Sequence, residues 1–175
     1  MCGIVGYIGD RDVLPVLLGG LHKLEYRGYD SAGVAYFKNE KLSVIKAKGR
    51  LTNLESLLEG KSSTHTAGIG HTRWATHGEP SDINSHPHTN TAGDIAVVHN
   101  GIIENFSTLR EWLEKKGISF VSQTDTEVIA HLINYFYEGD LMVALQGALK
   151  MMKGSYALGV ILSLIHISEP TRLRR

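Results

Sequence analysis

Cys2-Gly3-Ile4-Val5-Gly6-Tyr7-Ile8 opens the chain as an apolar run between glycines, directly after the initiator methionine. A short run of this kind predicts a buried strand over Gly3–Ile8, and it sets the single cysteine of the chain at the leading end of that strand. Met1 precedes a small side chain, so its removal would expose Cys2 as residue one. A free α-amine titrates near about 8 and a thiol near about 8.5, so that amine can take the thiol proton near neutrality. One residue would then hold both nucleophile and base. The competing reading is a small buried hydrophobe without reactivity. Position alone leaves both open.

Outward from this strand the chain alternates short strands and helices, without a long linker or an internal repeat. Asp12 to Leu24 carries Val13, Val16, Leu17, Leu21 and Leu24 at helical spacing, with Pro15 tolerable in the first turn. Val34 to Phe37 and Leu42 to Ala47 flank Lys38-Asn39-Glu40-Lys41, a β-hairpin pattern. Leu51 to Leu58 predicts a brief helix, and Ala67 to Trp74 and Ile95 to Ile103 predict strands. The last two are separated by the polar stretch Gly78 to Gly93. Thr108-x-x-Glu111 and Thr124-x-x-Glu127 are capping-box patterns that predict two helix starts, the first helix ending at Gly117. Leu141 to Met152 predicts a further helix and Tyr156 to Leu162 a strand. The pattern is mixed α and β, with the layering left open.

Composition excludes several classes. Lys plus Arg and Asp plus Glu both count 18, so the formal charge is zero. A protein that binds nucleic acid through phosphates would show a basic excess. The run Ala157 to Ile165 is far short of the roughly 20 residues that span a bilayer. The N-terminus shows no basic region followed by an apolar one, so no secretory signal is visible. A lone cysteine forms no internal disulfide, and the expected setting is cytoplasmic.

Four segments beyond Cys2 could carry chemistry. Arg27-Gly28-Tyr29-Asp30-Ser31 packs a cation, a flexible glycine and hydrogen-bonding side chains together, although a plain loop after the first helix explains it as well. His71-Thr72-Arg73-Trp74-Ala75-Thr76-His77-Gly78 ends a strand with an arginine whose fork suits a carboxylate or a structural partner equally. Asn100-Gly101 lies between apolar runs, which reads as a hairpin turn; its amide and backbone N–H could instead form an oxyanion hole. Asp125 falls in the first turn of a helix, where the dipole favours it, and it could hold an ammonium group. Six of the nine histidines fall between His65 and His99, but they lack cysteine partners and His-x-x-x-His spacing, so no metal is expected. Gly60-Lys61-Ser62 ends like a phosphate loop, yet position 55 is Glu where that motif needs Gly.

Taken jointly, the segments resemble the glutamine-dependent, N-terminal-nucleophile (Ntn) amidotransferases. The resemblance rests on Cys2 to Gly6, Glu25 to Gly33, His71 to Gly78, Asn84-Ser85-His86-Pro87-His88, His99 to Asn105 and Thr124 to Glu127, in the order of that family. The spelling Arg73-Trp74-Ala75-Thr76-His77 and Tyr29 favour the branch that aminates fructose 6-phosphate to glucosamine 6-phosphate over branches serving phosphoribosyl or aspartyl acceptors. A non-catalytic domain retaining the fold is the remaining alternative, and the intact set of site residues argues against it.

The resemblance implies an α+β, four-layer αββα sandwich of two antiparallel sheets. It also implies roles. Cys2 attacks the glutamine carboxamide and forms a thioester, Asn100 and Gly101 stabilise the oxyanion, and Arg27 orients the Cys2 end. Arg73 clamps the glutamine α-carboxylate and Asp125 its α-ammonium. Trp74, Thr76, His77 and His86 line a loop that closes over glutamine. Water then releases glutamate, with no metal or organic cofactor. The parent enzyme is expected to be a homo-oligomer without nucleic-acid or membrane partners, its sugar-binding part lying outside this chain. The resemblance covers residues 1–161 as a C-terminally incomplete amidotransferase domain; residues 162–175 read as a translated sequencing adapter, a non-native tail.

Overall fold

The computed structural model describes residues 2–63 and 66–163. Strand β1 (Gly3–Ile8) leads into α1 (Val13–Leu24), which starts where the Asp12 side chain accepts from the Leu14 N–H at 3.1 Å. A single 3-10 turn (Glu25–Arg27) delivers the chain to β2 (Ser31–Lys38) and β3 (Lys41–Lys48). These pair as the expected hairpin, with Asn39 and Glu40 at φ 49° and 63° closing the turn. Helix α2 (Leu51–Leu58) and strand β4 (Ala67–Arg73) follow. The first sheet runs β1-β4-β2-β3, all antiparallel.

The second sheet contains β5 (His88–Thr89), β6 (Ile95–Ile103) and β7 (Gly154–Leu162), with β6 in the middle. Helices α3 (Phe106–Glu114), α4 (Asp125–Phe136) and α5 (Leu141–Met151) lie between β6 and β7 in sequence. β5 arises inside the polar stretch 78–93, where no strand is expected. Its two residues pair with Ala96 and Val97, a length too short to produce a sequence period.

Three cores define four layers. Val13, Leu17 and Leu21 of α1 and Leu51, Leu54 and Leu58 of α2 pack on the outer face of the first sheet. Leu109, Leu113, Val128, Ile129, Leu132, Ile133, Ala144 and Ala148 cover the outer face of the second. Between the sheets sit Ala35, Ile69, Ala96 and Val98, with Ile4, Val44 and Ile161 against them. Strand alternation makes this arrangement possible. On β4, Gly68 and Gly70 leave room for α1 while Ile69 faces the other sheet. The architecture is the αββα sandwich with two antiparallel sheets.

Three local expectations need correction. Asn100-Gly101 is not a hairpin turn: β6 runs through both residues, and they pair with Ala157 and Tyr156 of β7. Gly101 has φ +124°, and a Cβ there would lie 2.0 Å from the Ser155 carbonyl oxygen. The glycine admits a close strand approach, not a reversal. Thr108 does not cap α3, which starts at Phe106 after Asn105. Thr124 does precede α4, but its hydroxyl bonds His88 and Ser122, and Glu127 reaches back to the Val121 and Ser122 N–H groups. At the C-terminal end Leu162 still pairs with Ile95, and the Ser163 N–H donates to the Asp94 carbonyl. Of the residues 162–175 read as an adapter tail, 164–175 lie outside the described residues, as does Met1.

Candidate active site

Cys2 precedes β1, beside the end of β4, because Gly3 pairs with Thr72. Its thiol rests on the Trp74 backbone: the Trp74 N–H donates to Sγ at 3.2 Å, and Sγ lies 3.5 Å from the Trp74 carbonyl. That backbone is itself fastened from the residue just before β2, since the Asp30 N–H donates to the Arg73 carbonyl at 2.8 Å and the Asp30 carboxylate accepts from Ala75 N–H. The sequence Asp30-Ser31 thus acts as a clip that fixes the segment facing the thiol. A cavity of about 480 Å³ opens beside Cys2.

Alternation along β4 sends Ile69, His71 and Arg73 to the same face. Arg73 lies at the cavity with only 3% exposure. Its Nη2 donates to the His77 carbonyl and, at 3.1 Å, to the Gly78 carbonyl, so it ties down the segment that follows β4. Nη1 is buried and has no protein acceptor. A buried guanidinium donor without a partner carries a desolvation cost of about 1–3 kcal/mol or more, which an incoming carboxylate would recover.

On β6, Ala96, Val98 and Asn100 face the first sheet while Ile95, Val97 and His99 face the helices. Asn100 thereby reaches Cys2 across the sandwich, its Nδ2 donating to the Cys2 carbonyl at 3.4 Å. Asp125, at the first turn of α4, accepts the Ile103 N–H on Oδ2 at 3.0 Å, and His99 Nδ1 lies 3.9 Å from the same oxygen. A buried backbone N–H of β6 is thus paired, and Asp125 lines the cavity.

Cys2, Arg27, Arg73, Trp74, Thr76, His86, Asn100, Gly101 and Asp125 all line this one cavity. His77 does not. Its ring packs edge-on against Phe106 at 4.8 Å, while its carbonyl serves Arg73, so it contributes backbone and not a side chain to the site.

His99, Ile102 and Thr124 also line the cavity and were not singled out from sequence. His99 could have been found from its place directly before Asn100-Gly101. A buried histidine group surrounds the site. The His86 ring packs at a 31° tilt against His71, centroids 4.3 Å apart, and the Thr126 hydroxyl bonds both His86 and His99, at 3.1 and 2.9 Å. The His86 carbonyl lies where a Cβ on Gly33 would come within 2.1 Å, so a glycine on β2 is needed to seat this segment. Burial pushes His71 down to about 4, opposed by its bond to Asn100, and holds His86 and His88 well below the ordinary histidine value. The group is therefore neutral at pH 7. These histidines bond hydroxyls and an amide, and among the described residues no group of three His, Cys, Asp or Glu side chains could hold a metal ion.

Comparison with known proteins bears on the fold and the family. A glutamine–fructose-6-phosphate aminotransferase (isomerizing) of Clostridium tetani (strain Massachusetts / E88) is 61% identical over 163 residues, 93% of this chain and 27% of that protein. One of Caldanaerobacter subterraneus subsp. tengcongensis is 60% identical over 161 residues, 92% of this chain and 26% of the relative. The chain thus spans about a quarter of the length of the curated relatives it matches. Among solved structures, a glutamine phosphoribosylpyrophosphate amidotransferase from B. subtilis superposes with a TM-score of 0.79 at 31% identity, covering 93% of this chain and 35% of that one. Residues 71–163 match the family described as the glutamine amidotransferase domain, and with the Ntn-type sandwich around Cys2 this places the chain in that family.

Proposed function

We propose that this chain releases ammonia from glutamine through Cys2. The observation that carries the reading is the convergence of the Cys2 thiol, the Asn100 carboxamide, the unpartnered Arg73 Nη1 and the Asp125 carboxylate on one cavity. Glutamine carries a carboxamide to be attacked, an α-carboxylate and an α-ammonium, and those three groups match the cavity's chemistry.

With Met1 removed, the Cys2 α-amine takes the thiol proton and Sγ bonds the carboxamide carbon. Asn100 and Gly101 donate to the resulting oxyanion. Each such donor is worth about 3 kcal/mol of barrier, because it is aimed before charge develops. The C–N bond then breaks, and the amine's proton leaves with ammonia. Water attacks the thioester, the thiolate departs and glutamate is released. Arg73 and Asp125 hold the two charged ends so that the carboxamide meets the sulfur. Trp74, Thr76 and His86 wall the cavity, and Arg27 closes it at the Cys2 end.

In the complete protein the ammonia goes to fructose 6-phosphate, giving glucosamine 6-phosphate. The support is the 61% identity to an aminotransferase so named, against 31% to the phosphoribosyl enzyme. The complete protein is a cytoplasmic homo-oligomer. Steady-state glutaminase assay of the chain and of Cys2→Ala tests the hydrolytic step. Release of glutamate by the wild type and none by the variant is expected, and equal release by both would overturn it.

A further inference from the structure

We infer that His71 is the positioning residue for the Asn100 carboxamide. The inference rests on the proposed role of Asn100 and adds a residue on the other sheet that sets how it points. His71 is fully buried on β4, and its Nε2 lies 2.8 Å from Asn100 Oδ1 across the sandwich. The other end of the same amide, Nδ2, is 3.4 Å from the Cys2 carbonyl. An asparagine amide has two senses, and its neighbours select one. A carbonyl oxygen can only accept, so the Cys2 carbonyl requires Nδ2 on its side. Oδ1 then faces His71 and requires a donor there, which fixes the Nε2–H tautomer.

The reverse sense would set Oδ1 against the Cys2 carbonyl oxygen and would withdraw the N–H donors from the thiol. His71 also keeps this tautomer without becoming a cation. Its Nδ1 is buried with no hydrogen-bond partner, so a second proton there is costly, and the His99 carbonyl offsets burial of the charged ring only in part. The His86 ring, its centroid 4.3 Å away and tilted by 31°, packs against the imidazole and limits its rotation. Thus one neutral donor on β4 orients one donor group on β6, and the two sheets share the oxyanion site.

The test uses the full chain with Met1 removed. His71→Met, which fills the space without a donor, should lower kcat about 30- to 100-fold with KM for glutamine within about twofold, because the loss falls on the transition state. His71→Gln places an amide N–H near the Nε2 position and should restore kcat to within about fivefold of wild type. Combining His71→Met with Asn100→Ala should cost less than about threefold beyond Asn100→Ala alone, since both remove one unit. A folded His71→Met with kcat within twofold, or losses that multiply in the double variant, would overturn the inference. Nitrogen-15 NMR of the wild-type His71 ring decides the matter even if the variants do not fold. A neutral ring protonated on Nε2 is expected between about pH 5.5 and 8, and protonation on Nδ1 would overturn it. Absence of glutaminase activity in the wild type would instead defeat the proposed function and leave the ring tautomer as an independent result.

Discussion

At the scale of single residues, Arg73 does two jobs that only its side chain can combine. One nitrogen fastens the His77 and Gly78 carbonyls; the other is buried without a partner and, on the proposed reading, meets the glutamine carboxylate. Lysine offers a point charge without the fork. Arg73→Lys is expected to raise KM for glutamine about tenfold or more, with a smaller change in kcat; steady-state kinetics over a wide glutamine range checks this. An unchanged KM would remove Arg73 from substrate binding. Much of this site was legible as residue types: a cysteine at position two, an arginine at a strand end, an acid in a helix first turn. What the sequence could not show was which neighbours these groups meet. Asn100-Gly101 reads locally as a turn, and only the approach of Ser155 from β7, more than fifty residues later, makes it a strand.

At the scale of elements, hydrophobic period placed most helices and strands within a residue or two, since each buries one face. Caps were less legible. Thr108 and Thr124 both fit a capping pattern, yet α3 begins two residues earlier and Thr124 spends its hydroxyl on His88 and Ser122. Tertiary partners outcompete a local hydrogen bond when they are buried. Asp140 is the contrasting case: its Oδ1 accepts from the Met142 and Val143 N–H groups at 2.8 and 3.1 Å with no competing partner. Asp140→Ala should destabilise the fold by about 1 kcal/mol, a Tm lower by about 2–4 °C, while glutaminase activity stays unchanged because α5 is outside the cavity. Thermal unfolding followed by circular dichroism reads the first and the glutamate assay the second.

At the scale of the whole molecule, the sandwich closes over a neutral histidine group, and this makes it acid-sensitive. Burial holds His71, His86, His88 and His99 below the ordinary value, His99 with Asp125 pulling the other way. The unfolded chain binds protons near pH 6.5 and the folded one does not, so stability is full above that value and falls as pH drops. For His71 the window runs from 6.5 to about 4, on the order of 3 kcal/mol. Glu127 adds a later loss. Burial raises its pKa, but the His131 bond and the Ser122 and Val121 N–H groups outweigh this and bring it to about 2. Its contribution is therefore present above about 4.5 and lost as pH falls toward 2. Urea midpoints should accordingly fall steadily from pH 7 to pH 5, before most carboxylates titrate, and less so in His71→Gln. A flat midpoint over that range would mean the histidines are not held neutral by the fold.

On the proposed reading, these elements assemble one glutamine site on an N-terminal cysteine. Intact mass and peptide mapping after exposure to 6-diazo-5-oxo-norleucine, a glutamine-like electrophile, would read that site, with Cys2→Ala and glutamine competition alongside. A single adduct on Cys2 is expected, confined to chains lacking Met1, slowed by glutamine and absent in the variant. Chains already lacking Met1 that take up no adduct, or label elsewhere regardless of glutamine, would contradict it.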